Sequence, residues 1–84
     1  MKRLERANRI EDALINLTDA HAGEYGGTWY AIHESEEDQD DGVGSLNPYE
    51  AALMAVKCDA YEIVLIYDND NDEAYATLRI ADID

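Results

Sequence analysis

The residues of this chain that carry the most chemistry are its acids, and the most regular spacing among them is Asp68-Asn69-Asp70-Asn71-Asp72. A D-x-D-x-D run is how an EF-hand calcium loop begins, because alternate carboxylates converge on one hard cation. The pattern then breaks. Its sixth position, where the loop turns on glycine, is Glu73, and its twelfth, which supplies a bidentate glutamate, is Arg79. The run is therefore expected to be a polar turn, since Asn and Asp tolerate left-handed backbone. The histidines offer no better ligand set. His21 and His33 stand near Glu24 and Glu36, but neither a cysteine partner nor an H-x-x-x-H spacing accompanies them. Both read as surface residues, and no metal or other cofactor is expected.

Nucleophilic chemistry finds no support in the spacing either. Cys58 has no flanking glycine-rich turn or histidine, and nearby acids raise a thiol pKa rather than lower it. It reads as a small core residue. Ser35 and Ser45 lie in an acidic, glycine-containing stretch. Carboxylate pairs abound, but glycosidase chemistry needs a sugar-sized cleft that a chain of 84 residues rarely builds. There is no glycine-rich phosphate loop, and a polyanion repels nucleic acid. The expectation is a non-catalytic protein without direct nucleic-acid contact.

What remains is the charge itself. Twenty Asp and Glu oppose six Lys and Arg, a net charge of -14, while apolar content of 46% is that of a chain that folds. Lys2, Arg3, Arg6 and Arg9 against Glu5 make the first nine residues +3. The remainder, nineteen carboxylates against Lys57 and Arg79, is -17. Those N-terminal cations sit at the unfavourable end of a helix dipole. The start, Met-Lys-Arg-Leu-Glu-Arg, lacks the apolar stretch of a signal peptide, and no apolar run is long enough to span a membrane. A lone cysteine allows no internal disulfide. A cytoplasmic protein without membrane contact is the expectation.

The elements that must position these residues follow from periodicity. Ala7, Ile10, Leu14 and Leu17 make the stripe of an amphipathic helix over 3–22, widened by Leu4, Ala13 and Ala20. Thr28 to Glu34 predicts a strand with Trp29, Ala31 and His33 on one face and Tyr30 and Ile32 on the other. Residues 35–46 predict a mobile acidic loop. Asn47-Pro48-Tyr49-Glu50 predicts a capped helix start, with Asn at N-cap, Pro at N1 and Glu at N3 closing a capping box. Tyr49, Ala52, Leu53 and Val56 are its expected buried stripe. Ala60 to Asp68 is apolar on both faces, the mark of a central strand. Glu73 to Ile80 alternates, with Ala74, Ala76, Leu78 and Ile80 inward and Tyr75, Thr77 and Arg79 outward. The fold class is α+β: one domain over 1–84, a three-stranded sheet packed with two helices, in the order helix, strand, helix, strand, strand.

Six tyrosines and one tryptophan, with no phenylalanine, add amphipathic aromatics suited to interfaces and to cation–π contact. The expected docking surface therefore comprises Glu36, Glu37, Asp38, Asp40 and Asp41 in the first acidic loop and Asp68, Asp70 and Asp72 in the hairpin. Tyr30, Tyr61 and Tyr75 on exposed strand faces complete it. Its expected partner is a basic protein surface, that of a nucleic-acid-binding protein or a nuclease complex. In size, acidity and lack of catalytic residues the chain resembles the small phage-encoded inhibitors of host defence, including acidic anti-CRISPR and anti-restriction DNA mimics. That resemblance implies a protein that blocks a nucleic-acid site within the host cytoplasm. It is compositional, covers the chain as a whole and carries no residue over, and the basic N-terminal turn departs from a uniformly acidic mimic. Two other readings share the composition: a domain of a salt-loving organism, and an immunity or antitoxin protein against a basic nuclease. A small acidic enzyme is more distant.

Overall fold

The computed structural model describes residues 2–21, 27–34, 43–66 and 74–83. Helix α1 (Lys2–His21) is followed by strands β1 (Trp29–His33) and β2 (Gly44–Ser45), helix α2 (Pro48–Lys57), and strands β3 (Glu62–Ile66) and β4 (Ala74–Arg79). A 3₁₀ turn over Ile80–Asp82 comes last. The strands form one antiparallel sheet in the order β2-β1-β3-β4. Among the described residues the α+β class and two helices are as expected, but the sheet has four strands rather than three. The extra strand, two residues long, lies inside the stretch expected to be a mobile loop. Gly44 pairs with Ala31 and Ser45 with Tyr30, and the Ile32 N–H donates to the Val43 carbonyl at 2.9 Å.

Alternation in β1 and β3 divides the sheet into two faces. Tyr30, Ile32, Ile63 and Leu65 join Ala7, Ile10 and Leu14 of α1 and Ala51, Ala52 and Ala55 of α2 in one core, so both helices cover the same face. Ala31, Val64 and Ile66, with Trp29 against them, form a smaller cluster on the other. From β4, Ala76 and Leu78 reach the helix-side core and Ile80 is buried in it, while Thr77 and Arg79 are exposed. Leu65 pairs with Ala76 but Ile66 with Ala74, so β4 bulges at Tyr75.

The buried stripe of α2 differs from expectation. Pro48, Ala51, Ala52 and Ala55 face inward, whereas Tyr49 and Leu53 are each 37% exposed and Val56 is half-buried. Small residues decide the rotation, because an alanine face lets α2 approach α1 and the sheet more closely than a leucine face would.

The start of α2 is capped as the sequence suggests, with one refinement. The Asn47 side chain accepts from the N–H groups of Tyr49 (2.8 Å) and Glu50 (3.2 Å). Glu50 does not reach the Asn47 N–H directly. Ser45 Oγ accepts that N–H at 3.0 Å and donates to Glu50 Oε2 at 2.9 Å, so one hydroxyl of β2 relays the capping box. At the other end Asp59 adopts φ 53°, and the Ala60 N–H donates to the Ala55 carbonyl at 2.8 Å, the left-handed closure that glycine usually supplies.

Candidate acidic interface

The strand register fixes where the two acidic loops are attached. His33 pairs with Glu62 and Trp29 with Ile66, so β1 ends where β3 begins. The segment after Glu34 therefore leaves the sheet at the Glu62 end and returns there at Val43. The segment between Ile66 and Ala74 leaves at the Trp29 end. At roughly 3.3 Å per residue the two attachment points lie about 13 Å apart along the strands. The expected docking acids Glu36, Glu37, Asp38, Asp40, Asp41, Asp68, Asp70 and Asp72 themselves lie outside the described residues.

At the Glu62 end the fold gathers further acids that spacing alone did not single out. Glu34 follows β1, and the left-handed turn after α2 presents Asp59, whose side chain is 91% exposed. Asp82, also exposed, follows β4 in the 3₁₀ turn. Between Glu34 and Asp59 opens a hollow of about 300 Å³, also lined by Arg6, Ala60, Tyr61, Ile80 and Ala81. Half-buried Arg6 lies 3.8 Å from exposed Asp59, a distance and exposure that give the pair little energetic weight. Glu34 and Asp59 could have been found in the sequence only by knowing that residues 33 and 62 are paired.

The expected tyrosines divide. Tyr30 is a correction: it is 0% exposed, on the helix-facing side of the sheet, and its hydroxyl lies 3.0 Å from Thr18 Oγ1. A polar aromatic is expected at a surface, whereas here a buried threonine gives its hydroxyl a partner. Tyr61 is half-buried beside the hollow, and the Arg79 guanidinium lies 5.9 Å from its ring centroid, so a cation of the chain itself occupies one ring face. Tyr75 lies in β4 at the bulge.

Of the two histidines, one departs from expectation. His21 is exposed at the end of α1, but His33 is only 4% exposed. Its Nδ1 lies 3.3 Å from Glu62 Oε1 on the neighbouring strand, and Glu36 lies outside the described residues. Cys58 is half-buried at the C-cap of α2, packed against the margin of the core, and its Sγ lies 4.0 Å from the Ala55 carbonyl. Burial first, and then the charges of Glu34 and Asp59, push its thiol pKa up, which disfavours the reactive thiolate. Among the described residues no three His, Cys, Asp or Glu side chains are arranged to hold a metal ion, and no helix is long and apolar enough to cross a membrane. The chain matches no protein-family model, no curated protein and no solved structure.

Proposed function

We propose that the protein is a non-catalytic binding module whose acidic end docks on a basic protein surface, in the place where that surface would receive nucleic acid. The observation that carries this reading is the concentration of charge: residues 10–84 sum to -17, and Glu34, Asp59 and Asp82 gather where the loop holding five more acids is attached. Duplex DNA presents one negative charge about every 1.7 Å along its axis, and a surface with carboxylates at comparable density competes for the same Lys and Arg side chains. At the hollow beside Tyr61 an incoming cation would compete with the chain's own Arg6 for Asp59, with Glu34 beside it and Ile80 against its stem.

The test is competition. A partner captured on the immobilised protein is challenged with duplex DNA, and association is followed as salt is raised. DNA should displace the protein. Converting Glu36, Glu37, Asp38, Asp40 and Asp41 to Gln and Asn should slow association and flatten its salt dependence while the melting curve stays cooperative. Binding indifferent to DNA and to salt would count against the reading. A protein that needs molar salt to fold and captures nothing would favour the salt-adapted domain instead.

A further inference from the structure

We infer that β4 is a pairing edge for a second copy of this chain, so that two sheets join antiparallel across a dyad at Thr77. This inference is independent of the acidic interface. It begins with the direction of the backbone groups. The Ile80 N–H donates to the Tyr61 carbonyl at 3.1 Å, which sets Ile80 opposite Tyr61, while the Tyr61 N–H goes to the His33 carbonyl at 2.7 Å. The Ile32 N–H, given to Val43, turns Ile32 toward β2 and so its partner Ile63 toward β4. The β3–β4 register, Ile63 with Leu78 and Leu65 with Ala76, continues from Tyr61 and Ile80 in steps of two. In an antiparallel ladder, residues of hydrogen-bonded pairs turn both N–H and C=O toward the partner strand, and those between turn both away. Ala76, Leu78 and Ile80 therefore face β3, and Thr77 and Arg79 present their N–H and C=O to the outer edge. Among the described residues no strand pairs with that edge.

Natural proteins guard such an edge with charge, proline or a bulge. Here the bulge lies only at the Tyr75 end, and in a chain of net charge -14 the strand Ala74–Arg79 carries one cation and no carboxylate. It is also less covered than its neighbour. Ala76 and Leu78 are half-buried where the β3 residues opposite them, Leu65 and Ile63, are both 0% exposed.

The strand complements itself. With Thr77 on the dyad, Thr77 faces Thr77 of the second copy, Arg79 faces Tyr75, and Ala76 faces Leu78. Threonine–threonine cross-strand pairs are favourable, and no like charges meet. The Thr77 pair exchanges two backbone hydrogen bonds, and the alanine and leucine extend the helix-side core across the junction. The opposite edge, β2, offers only two residues. Two bodies of equal negative charge repel, so pairing should strengthen as salt screens them.

Sedimentation equilibrium from about 1 μM to 1 mM protein, at low and at moderate NaCl, reads the mass. The expected result is a shift from 9.4 kDa toward twice that value, favoured by salt. Thr77→Asp sets two carboxylates face to face on the dyad and should weaken association by about tenfold or more. Asn16→Asp, which adds the same charge on an exposed part of α1, should leave it unchanged. Amide exchange locates the contact. The Thr77 and Arg79 amides should become protected as concentration rises, whereas Ala76 and Leu78 are protected throughout. A monomer under all these conditions overturns the inference, as does a dimer in which the Thr77 amide stays unprotected or Thr77→Asp has no effect.

Discussion

Replacing Tyr30 by phenylalanine tests the placement that most changed between sequence and structure. Both hydroxyls concerned are in residues 0% exposed, with Tyr30 Oη 3.0 Å from Thr18 Oγ1 and Thr18 Oγ1 donating to the Leu14 carbonyl at 2.7 Å. A threonine hydroxyl has one proton. With that proton committed to Leu14, Thr18 must accept from Tyr30, which is therefore the donor. Tyr30→Phe removes that donor and leaves the ring and the Thr18–Leu14 bond in place. The cost is one buried hydrogen bond, about 1 kcal/mol. For a domain of this size that is a fall in Tm of about 4–8 °C. Thr18→Val removes the acceptor and should cost about 1–2 kcal/mol. The double variant should cost less than the sum, because both singles break the same bond. Thermal melts followed by far-UV circular dichroism give all three values. An unchanged midpoint in Tyr30→Phe, or strict additivity in the double variant, would refute the buried pair. Impaired partner association in a Tyr30→Phe protein that melts normally would return Tyr30 to the interface.

Ser45→Ala removes the hydroxyl that links Asn47 to Glu50, and denaturant unfolding should report a loss of about 1–2 kcal/mol. Asp59→Gly relieves a left-handed residue at the end of α2, and after glycine's greater chain entropy is subtracted the same assay should show a gain of about 0.5–1 kcal/mol. With its pKa raised, Cys58 should react with iodoacetamide more slowly than a free cysteine peptide at neutral pH, and its rate should keep rising at pH values where the peptide has levelled off. At a net charge of -14, Tm should rise between low and moderate NaCl, and a flat or falling midpoint would mean that the carboxylates are already compensated within the fold.

The parts of the fold visible in the sequence are those set by local periodicity. The alternation of Trp29, Ala31 and His33 against Tyr30 and Ile32 predicted the two faces of β1, because side chains in a strand alternate whatever its neighbours are. Asn47 and Pro48 marked the start of α2 through chemistry confined to one helical turn. The parts that escaped depend on partners distant in sequence. Strand β2 is too short for a period to register and exists because Tyr30 and Ala31 pair with it. Hydrophobicity ranked Tyr49 and Leu53 above Ala51 and Ala55, yet proximity to α1 selected the alanines. His33 read as a surface residue because Glu62, which pairs with it, lies 29 positions away.

The same distinction governs the acidic interface. Counting carboxylates marks out both acidic segments, but a count cannot say whether they share a surface. That depends on the pairing of β1 with β3. Were the two strands parallel, the chain would leave both at one end, and the eight expected acids would be attached to a single rim. They are antiparallel, with Trp29 opposite Ile66 and His33 opposite Glu62, so the loops are attached at opposite ends. A partner must therefore either lie along the sheet to meet both sets of acids or engage one end alone. The end with Glu34, Asp59 and Asp82 brings three more carboxylates to the first loop, which makes it the stronger of the two. Neutralising Glu36, Glu37, Asp38, Asp40 and Asp41 in one variant and Asp68, Asp70 and Asp72 in another separates these arrangements. A partner lying along the sheet should lose association rate in both variants, and one seated at the Glu62 end should lose it only in the first.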